Sequence, residues 1–259
     1  QDLRYFEEEK QISTFLYDPG KNNGSIKELN KAEIVFVCVP TPYLENKGFD
    51  MSYVRSSCNN LTGNKIVVIK STVLPGTTEN LQKKYPRHKF LFNPEFLIER
   101  KAYETIVNPD RQIIGYTEES FDVAEKILNL LPDAPYKALL KSKEAEMVKY
   151  FGNTFLSIKV IFANQIYDLC QKMGIDYEKV KEAAATDTRI GPSHLGIFHG
   201  KYRGYFGKCF PKDIKTLIQI AEKQGVDLKL HKTAEKINNQ LMKEQGIDNL
   251  EEIKIEEPE

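Results

Sequence analysis

The chain has 259 residues, in which 37 Lys and Arg balance 37 Asp and Glu. That length fits one or two domains with a substantial buried core, and zero net charge removes any general attraction to nucleic acid or an anionic membrane. No apolar run reaches the length of a membrane span and no secretory signal begins the chain, so a soluble, cytoplasmic protein is expected.

Residues 1–8 read as the end of a helix. Residues 12–18 form a β-branched and aromatic run that ends in Asp18 and is stopped by Pro19-Gly20, which predicts a strand. Continuous apolar runs at 34–39 and 66–69 predict strands of a parallel sheet buried on both faces. Shorter strands are expected at 89–92 and 112–114, with helices at 52–61, 78–84 and 120–130 between them. This βαβα alternation predicts a Rossmann-like, doubly wound parallel sheet. In such a fold the second strand ends in an acid that binds the adenosine ribose, and Asp18 fits that position. The first strand and the glycine-rich phosphate turn, about 15–25 residues, are then missing from the sequence, and no Gly-x-Gly-x-x-Gly occurs elsewhere.

From Lys143 the apolar positions Met147, Phe151, Phe155, Ile158, Ile161, Phe162, Ile166 and Leu169 sustain one helical face to about Met173. An all-helical second domain is expected, and the chain divides into residues 1–140, 141–245 and a mobile acidic tail, 246–259. A last helical run is read at 228–242. Of the four cysteines, Cys38 and Cys170 fall in apolar runs and read as small buried hydrophobes. With no CxxC pair and no His-Cys cluster, neither a disulfide framework nor a metal site is indicated.

Cys209 differs from these. It lies in Gly204-Tyr205-Phe206-Gly207-Lys208-Cys209-Phe210-Pro211-Lys212-Asp213, just before an apolar-periodic run at Ile214, Leu217, Ile218 and Ala221. Pro211 then sits in the first turn of a helix and Cys209 at its positive end, which favours the nucleophilic thiolate. Lys212 and Asp213 add a cation and a carboxylate able to orient water, and the local chemistry suits thioester catalysis.

This stretch resembles the cysteine signature of the UDP-glucose dehydrogenase family, Gly-Phe-Gly-Gly-x-Cys-Phe-Pro-Lys-Asp. Further segments match in the family's order: Val39-Pro40-Thr41-Pro42, Ser71-Thr72-Val73 with Pro75-Gly76-Thr77, Asn93-Pro94-Glu95-Phe96-Leu97, Asn108-Pro109-Asp110-Arg111, Ala145-Glu146-Met147-Val148-Lys149 with Asn153, and Arg189-Ile190-Gly191. The resemblance implies an enzyme that oxidises the primary alcohol of a nucleotide sugar twice with NAD, through a cysteine-bound thiohemiacetal and thioester, to a uronic acid. It implies that Cys209 is the nucleophile, that Lys149 and Asn153 stabilise oxyanion character, and that Glu95 is the acid/base or water-positioning carboxylate. Asp213 and Thr72 would order water. Asp18, Thr41, Ser71, Glu99 and Lys212 fall to the cofactor, and Phe96, Leu97, Arg189, Gly204, Tyr205 and Gly207 to the substrate. The family's helical domain packs across a dimer interface, so a homodimer is expected.

Three departures stand beside the resemblance: the missing phosphate turn, the absence of the second α/β domain with which family members continue, and Phe206 where the signature has Gly. A Gly there permits close backbone approach or positive φ, so Phe206 predicts a rearranged loop or an altered substrate. Lys201, Tyr202 and Arg203 are candidates to hold phosphate groups instead. These departures keep open a non-catalytic relative that binds a sugar nucleotide or a full-length homologue, and, more weakly, a single alcohol oxidation without the thioester step.

Overall fold

The computed structural model describes residues 2–44, 48–97, 101–247, 250 and 253 and divides into two compact units, Gln1–Lys149 and Tyr150–Glu259. The first unit begins with α1 (Asp2–Glu8), followed by α2 (Ile26–Leu29), β1 (Ile34–Val37) and a small antiparallel pair, β2 (Tyr43–Leu44) and β3 (Gly48–Phe49). It continues through α3 (Ser52–Asn59), β4 (Ile66–Ile69), α4 (Thr77–Lys84), β5 (Lys89–Phe92), α5 (Ala102–Val107), β6 (Arg111–Tyr116), α6 (Phe121–Leu130) and β7 (Tyr136–Lys141). The central sheet has the order β1-β4-β5-β6-β7.

Strands β1, β4 and β5 run parallel, and β1 and β4 have the unbroken apolar sequences expected of strands covered on both faces. Ile66 and Val68 alternate onto one face, where they meet Tyr5 and Phe6 of α1 and Ala124, Ile127 and Leu128 of α6. On β5, the buried Gln82 of α4 donates to His88 O and accepts from Phe90 N at 2.7 and 2.9 Å, closing the strand's start against the helix.

Two expectations are corrected here. The sheet is not wholly parallel: β5 and β6 pair antiparallel through Leu91↔Tyr116 and Phe92↔Gly115. The chain leaves β5 and enters β6 at the same end, and β6 meets β5 only through its last two residues, Gly115 and Tyr116. Most of β6 therefore projects past the carboxyl end of β5 and walls the loop that follows it. Residues 12–17 are also not a strand; Ile12, Phe15 and Leu16 are exposed, and only Asp18 forms an isolated bridge, to Asn23. A strand needs a ladder partner for its backbone groups, and no described strand flanks this run.

In the second unit lie the greater part of α7 (Ser142–Met173), then α8 (Tyr177–Ala185), β8 (Phe198–His199), β9 (Tyr202–Arg203), α9 (Phe210–Lys223) and α10 (Lys229–Glu244). Among the described residues the regular structure of this unit is helical except for the β8–β9 hairpin, which the sequence reading lacked along with β7, α5 and α8. Its core forms two clusters. Val160 and Ile161 of α7 pack with Tyr205, Ile214, Ile218 and Ala234; Ala163 and Cys170 pack with Tyr177, Leu195 and Ile197. The acidic tail expected at 246–259 falls almost entirely outside the described residues. Among the described residues, no helix is long and apolar enough to cross a membrane.

Candidate active site

The predicted site residues fall into two sets, one in each unit. In the first unit they gather at the carboxyl ends of β1, β4 and β5, where open α/β sheets bind ligands. Ser71 Oγ accepts from Val39 N at 2.8 Å and lies 2.7 Å from Val39 O, and Thr41 Oγ1 donates to Thr72 O at 2.8 Å. These short hydroxyls knit the loops after β1 and β4 into one rim.

The loop after β5 is fixed just as closely. The side chain of Asn93, wholly buried, donates through Nδ2 to Ile113 O at 2.9 Å and accepts from Lys70 Nζ at 3.0 Å. The same ammonium pairs with Glu95 Oε2 at 3.0 Å, while Glu95 Oε1 accepts from Phe96 N and Leu97 N at 3.0 and 3.2 Å. Both carboxylate oxygens of Glu95 are therefore engaged. Lys149 Nζ donates to Glu95 O at 2.6 Å, tying the long helix to the same loop. A cavity of about 110 Å³ opens at this loop, walled by Lys70, Glu95, Phe96, Thr105 and Arg111, with the Arg111 guanidinium 3.9 Å above the Phe96 ring. Glu99 lies outside the described residues.

In the second unit, Cys209 is exposed and is the N-cap residue of α9, with Pro211 in the first turn as the sequence predicts. Cys209 therefore stands at the end of α9 that carries partial positive charge. One turn into α9, the wholly buried Asp213 accepts from Asn153 Nδ2 at 2.5 Å and pairs with Lys212 Nζ at 2.6 Å. Asp213 thus holds an amide and a cation one turn beyond Cys209 in the chain. Lys149 and Asn153 both belong to α7, one turn apart.

The loop before Cys209 shows why Phe206 is tolerated. Positive φ is taken by Gly204 (+85°) and Gly207 (+81°), not by Phe206, whose ring packs edge-on against His199 and Tyr202 of the hairpin. A Cβ at Gly204 would stand 2.7 Å from Asn238 Oδ1, so the position requires glycine for space as well as for φ. Asn238 of α10 accepts from Tyr205 N at 2.8 Å and donates to Tyr205 O at 3.0 Å, and Gln245 does the same for Arg203 at 2.8 and 3.3 Å. Two amide side chains thereby act on the loop as a neighbouring strand would. Gly207 N donates to Leu250 O at 2.7 Å.

The Arg203 guanidinium is committed to Asp168 at 2.7 Å and Asn164 at 3.1 Å and covers Tyr167, so it is not available to phosphate. Arg189 is exposed and held by Asp187 two residues earlier. Asp18 accepts from Gly20 N at 3.1 Å and caps the turn that follows it. Cys38 is exposed because β1 ends at Val37, whereas Cys58 and Cys170 are buried, and burial pushes the Cys58 thiol up to about 12.

The sequence reading missed Lys70, Asn93, Glu146 and Asn238. Asn93 and Glu146 stand inside family motifs and Lys70 immediately before one, and their only signal was a polar or charged residue next to an apolar run. Nothing in the sequence marks Asn238.

Two family models match the chain: the UDP-glucose/GDP-mannose dehydrogenase family NAD binding domain over residues 21–130 and that family's central domain over residues 143–240. The UDP-glucose 6-dehydrogenase of Rickettsia felis is 35% identical over 223 residues, covering 82% of this chain and 49% of that protein. UDP-glucose 6-dehydrogenase TuaD of Bacillus subtilis is 34% identical over 217 residues, 78% of this chain and 45% of the relative. Among solved structures, a UDP-glucose dehydrogenase from the archaeon Pyrobaculum islandicum matches with a TM-score of 0.75 at 32% identity, covering 85% of this chain and 55% of its own. The chain spans about half the length of the curated relatives it matches.

Proposed function

Because the chain belongs to the UDP-glucose/GDP-mannose dehydrogenase family, we propose that it carries the catalytic residues of an NAD-dependent dehydrogenase that oxidises a nucleotide sugar, UDP-glucose or a close relative, to its uronic acid. The observation that carries this reading is the exposed Cys209 at the positive end of α9, with the buried Asp213 of the same helix holding Asn153 and Lys212.

NAD is the cofactor of the family's matched domain, and when bound it accepts a hydride in each of two oxidations. The hydroxyl-lined rim formed by Thr41, Ser71 and the Thr72 carbonyl fits the nicotinamide end. The pyrophosphate is different: it needs a glycine-rich turn opening onto a helix, and the 259 residues contain no Gly-x-Gly-x-x-Gly.

Within this reading the chain's residues divide the work as follows. The sugar aldehyde is attacked by the Cys209 thiolate, giving a thiohemiacetal whose oxyanion Lys149 and Asn153 stabilise by donating hydrogen bonds. Its oxidation leaves a thioester on Cys209. Water then adds to the thioester carbonyl, the carbon–sulfur bond breaks, and the carboxylate departs with regeneration of the thiolate. Asp213 acts in this step through Asn153 and Lys212, which it fixes. Glu95 is held by Lys70 and two backbone amides, an arrangement suited to fixing the Phe96-Leu97 loop and ordering water beside it. Arg189 and the Gly204–Gly207 loop face the substrate.

A second copy of the chain is part of the proposal. Met147, Phe151, Phe155, Phe162, Leu169 and Met173 are 40–73% exposed, and at spacings of four and seven residues they form one apolar stripe along α7. A homodimer that pairs these stripes would remove them from water.

The test is NADH formation by the purified chain on UDP-glucose and a panel of nucleotide sugars. Two NADH per sugar, abolished by Cys209→Ala, is expected. A folded chain that binds NAD yet turns over no nucleotide sugar would replace this reading with that of a non-catalytic sugar-nucleotide binder, and one NADH per sugar surviving Cys209→Ser would reduce it to a single alcohol oxidation.

A further inference from the structure

Glu146 lies in the second turn of α7 with no exposed surface, yet it belongs to no catalytic step above. Its carboxylate receives three hydrogen bonds: Gly76 N to Oε2 at 2.5 Å, and Thr78 N and Thr78 Oγ1 to Oε1 at 2.9 and 2.7 Å. These donors open α4, whose own N-cap is Gly76 at φ +94°, a residue with no side chain to cap it. Helix N-termini leave several N–H groups unpaired and carry partial positive charge, which a serine or aspartate one turn earlier usually satisfies. Here the cap comes from a residue 70 positions later.

Each end of this link is anchored to the candidate site. On one side, Gly76 closes the segment that begins at Ser71 and Thr72, already tied to the loop after β1 through Ser71 Oγ and Thr72 O. On the other, the start of α7 is pressed onto β6, where a Cβ at Gly115 would come within 2.7 Å of Ala145 Cβ. Three residues beyond Glu146, Lys149 reaches Glu95 O. Lys143 adds an ion pair to Glu79 of α4 at 3.0 Å.

We propose that Glu146 is a positioning residue: by capping α4 across the fold, it fixes the Ser71–Gly76 loop that carries Thr72 relative to the helix turn that carries Lys149. The proposal deepens the dehydrogenase reading and rests on it for its kinetic consequences, whereas the clamp itself is independent of that reading. Burial is the main reason the Glu146 carboxyl is raised to about 7, opposed by its three hydrogen bonds and supported by Glu79, whose charge Lys143 partly offsets. Protonation turns an acceptor into a donor facing N–H groups, so the clamp holds best in the charged form.

The experiment compares wild type, Glu146→Gln and Thr78→Val by amide hydrogen exchange across residues 71–80 and by steady-state kinetics between pH 6 and 8. In Glu146→Gln, exchange at Gly76 and Thr78 should rise at least ten-fold. The kcat should fall about ten-fold or more while the KM for the sugar nucleotide changes little, and the rise of wild-type kcat through pH 7 should flatten. Thr78→Val removes one donor and keeps the carboxylate, so its exchange and kcat should move the same way by a smaller factor while the pH dependence persists. Wild-type exchange in both variants would overturn the clamp, and this arm needs no turnover. Raised exchange with unchanged kcat and pH profile would overturn the positioning role. Absence of turnover in wild type bears on the dehydrogenase reading and leaves the exchange arm to decide the clamp.

Discussion

Replacing Asn238 by Ala should destabilise the second unit by about 2–3 kcal/mol, and the figure follows from the loop it holds. Asn238 is wholly buried, and its amide pairs both backbone groups of Tyr205, itself 3% exposed. Removing the amide leaves a buried N–H and a buried C=O without partners, at about 1–2 kcal/mol each. Ala recovers about 0.6 kcal/mol of helix propensity, too little to reverse the sign. Urea unfolding with an unchanged m-value would measure the difference. A companion change sharpens the test: Gly204→Ala alone places Cβ 2.7 Å from Asn238 Oδ1 at φ +85°, so adding Asn238→Ala should relieve the overlap. The double variant should therefore fall short of the sum of the two single losses by about 1 kcal/mol. An Asn238→Ala protein within about 0.5 kcal/mol of wild type, or strict additivity, would refute the reasoning.

Three further outcomes are expected. With the Glu146 carboxyl raised from its ordinary 4.5 to about 7, the folded state binds more protons than the unfolded chain between those values; the associated stability is full below pH 4.5 and lost by about pH 7, a change of about 3 kcal/mol that Glu146→Gln should flatten in pH-dependent denaturation. Phe151→Glu, on a side chain 73% exposed in the single chain, should leave folding intact and convert a dimer to a monomer in light scattering; a wild-type monomer at high concentration would defeat the stripe argument. Under a thiol reagent at pH 8, Cys209 and Cys38 should react at once, while Cys58, buried and pushed up to about 12, and the buried Cys170 should react only on unfolding; site-resolved mass spectrometry would show a different order if the burial pattern were wrong.

Much of the site could be read from one dimension because its signals are local. The position of Cys209 at a helix start followed from Pro211 and the apolar spacing beyond it, and α9 begins within one residue of that expectation. The unbroken apolar runs of β1 and β4 announced a sheet covered on both faces, and Lys149 and Asn153 share a helix face by spacing alone. Residues 12–18 show the limit of such reading: strand propensity is a statement about fitting between neighbours, and where no ladder partner lies alongside, a β-branched run stays in solvent. Phe206 shows the same limit from the other side: the pattern marks a departure from the signature, and only the structure shows that positive φ falls to Gly204 and Gly207.

The sequence by itself determined the strands β1, β4 and β5, the long helix α7, the helix start at Cys209, and which residues are chemically able to act, because periodicity, turn chemistry and side-chain reactivity are properties of short segments. Only the tertiary structure decided how those residues are held: the antiparallel β6 that walls the Glu95 loop, Lys70 and Asn93 beneath that carboxylate, Glu146 capping a helix 70 residues away, and Asn238 standing in for a strand beside Tyr205. Each of these is a hydrogen bond or ion pair between segments far apart in the chain. Burial makes such pairing obligatory, but it is the packing of the elements that chooses the partner.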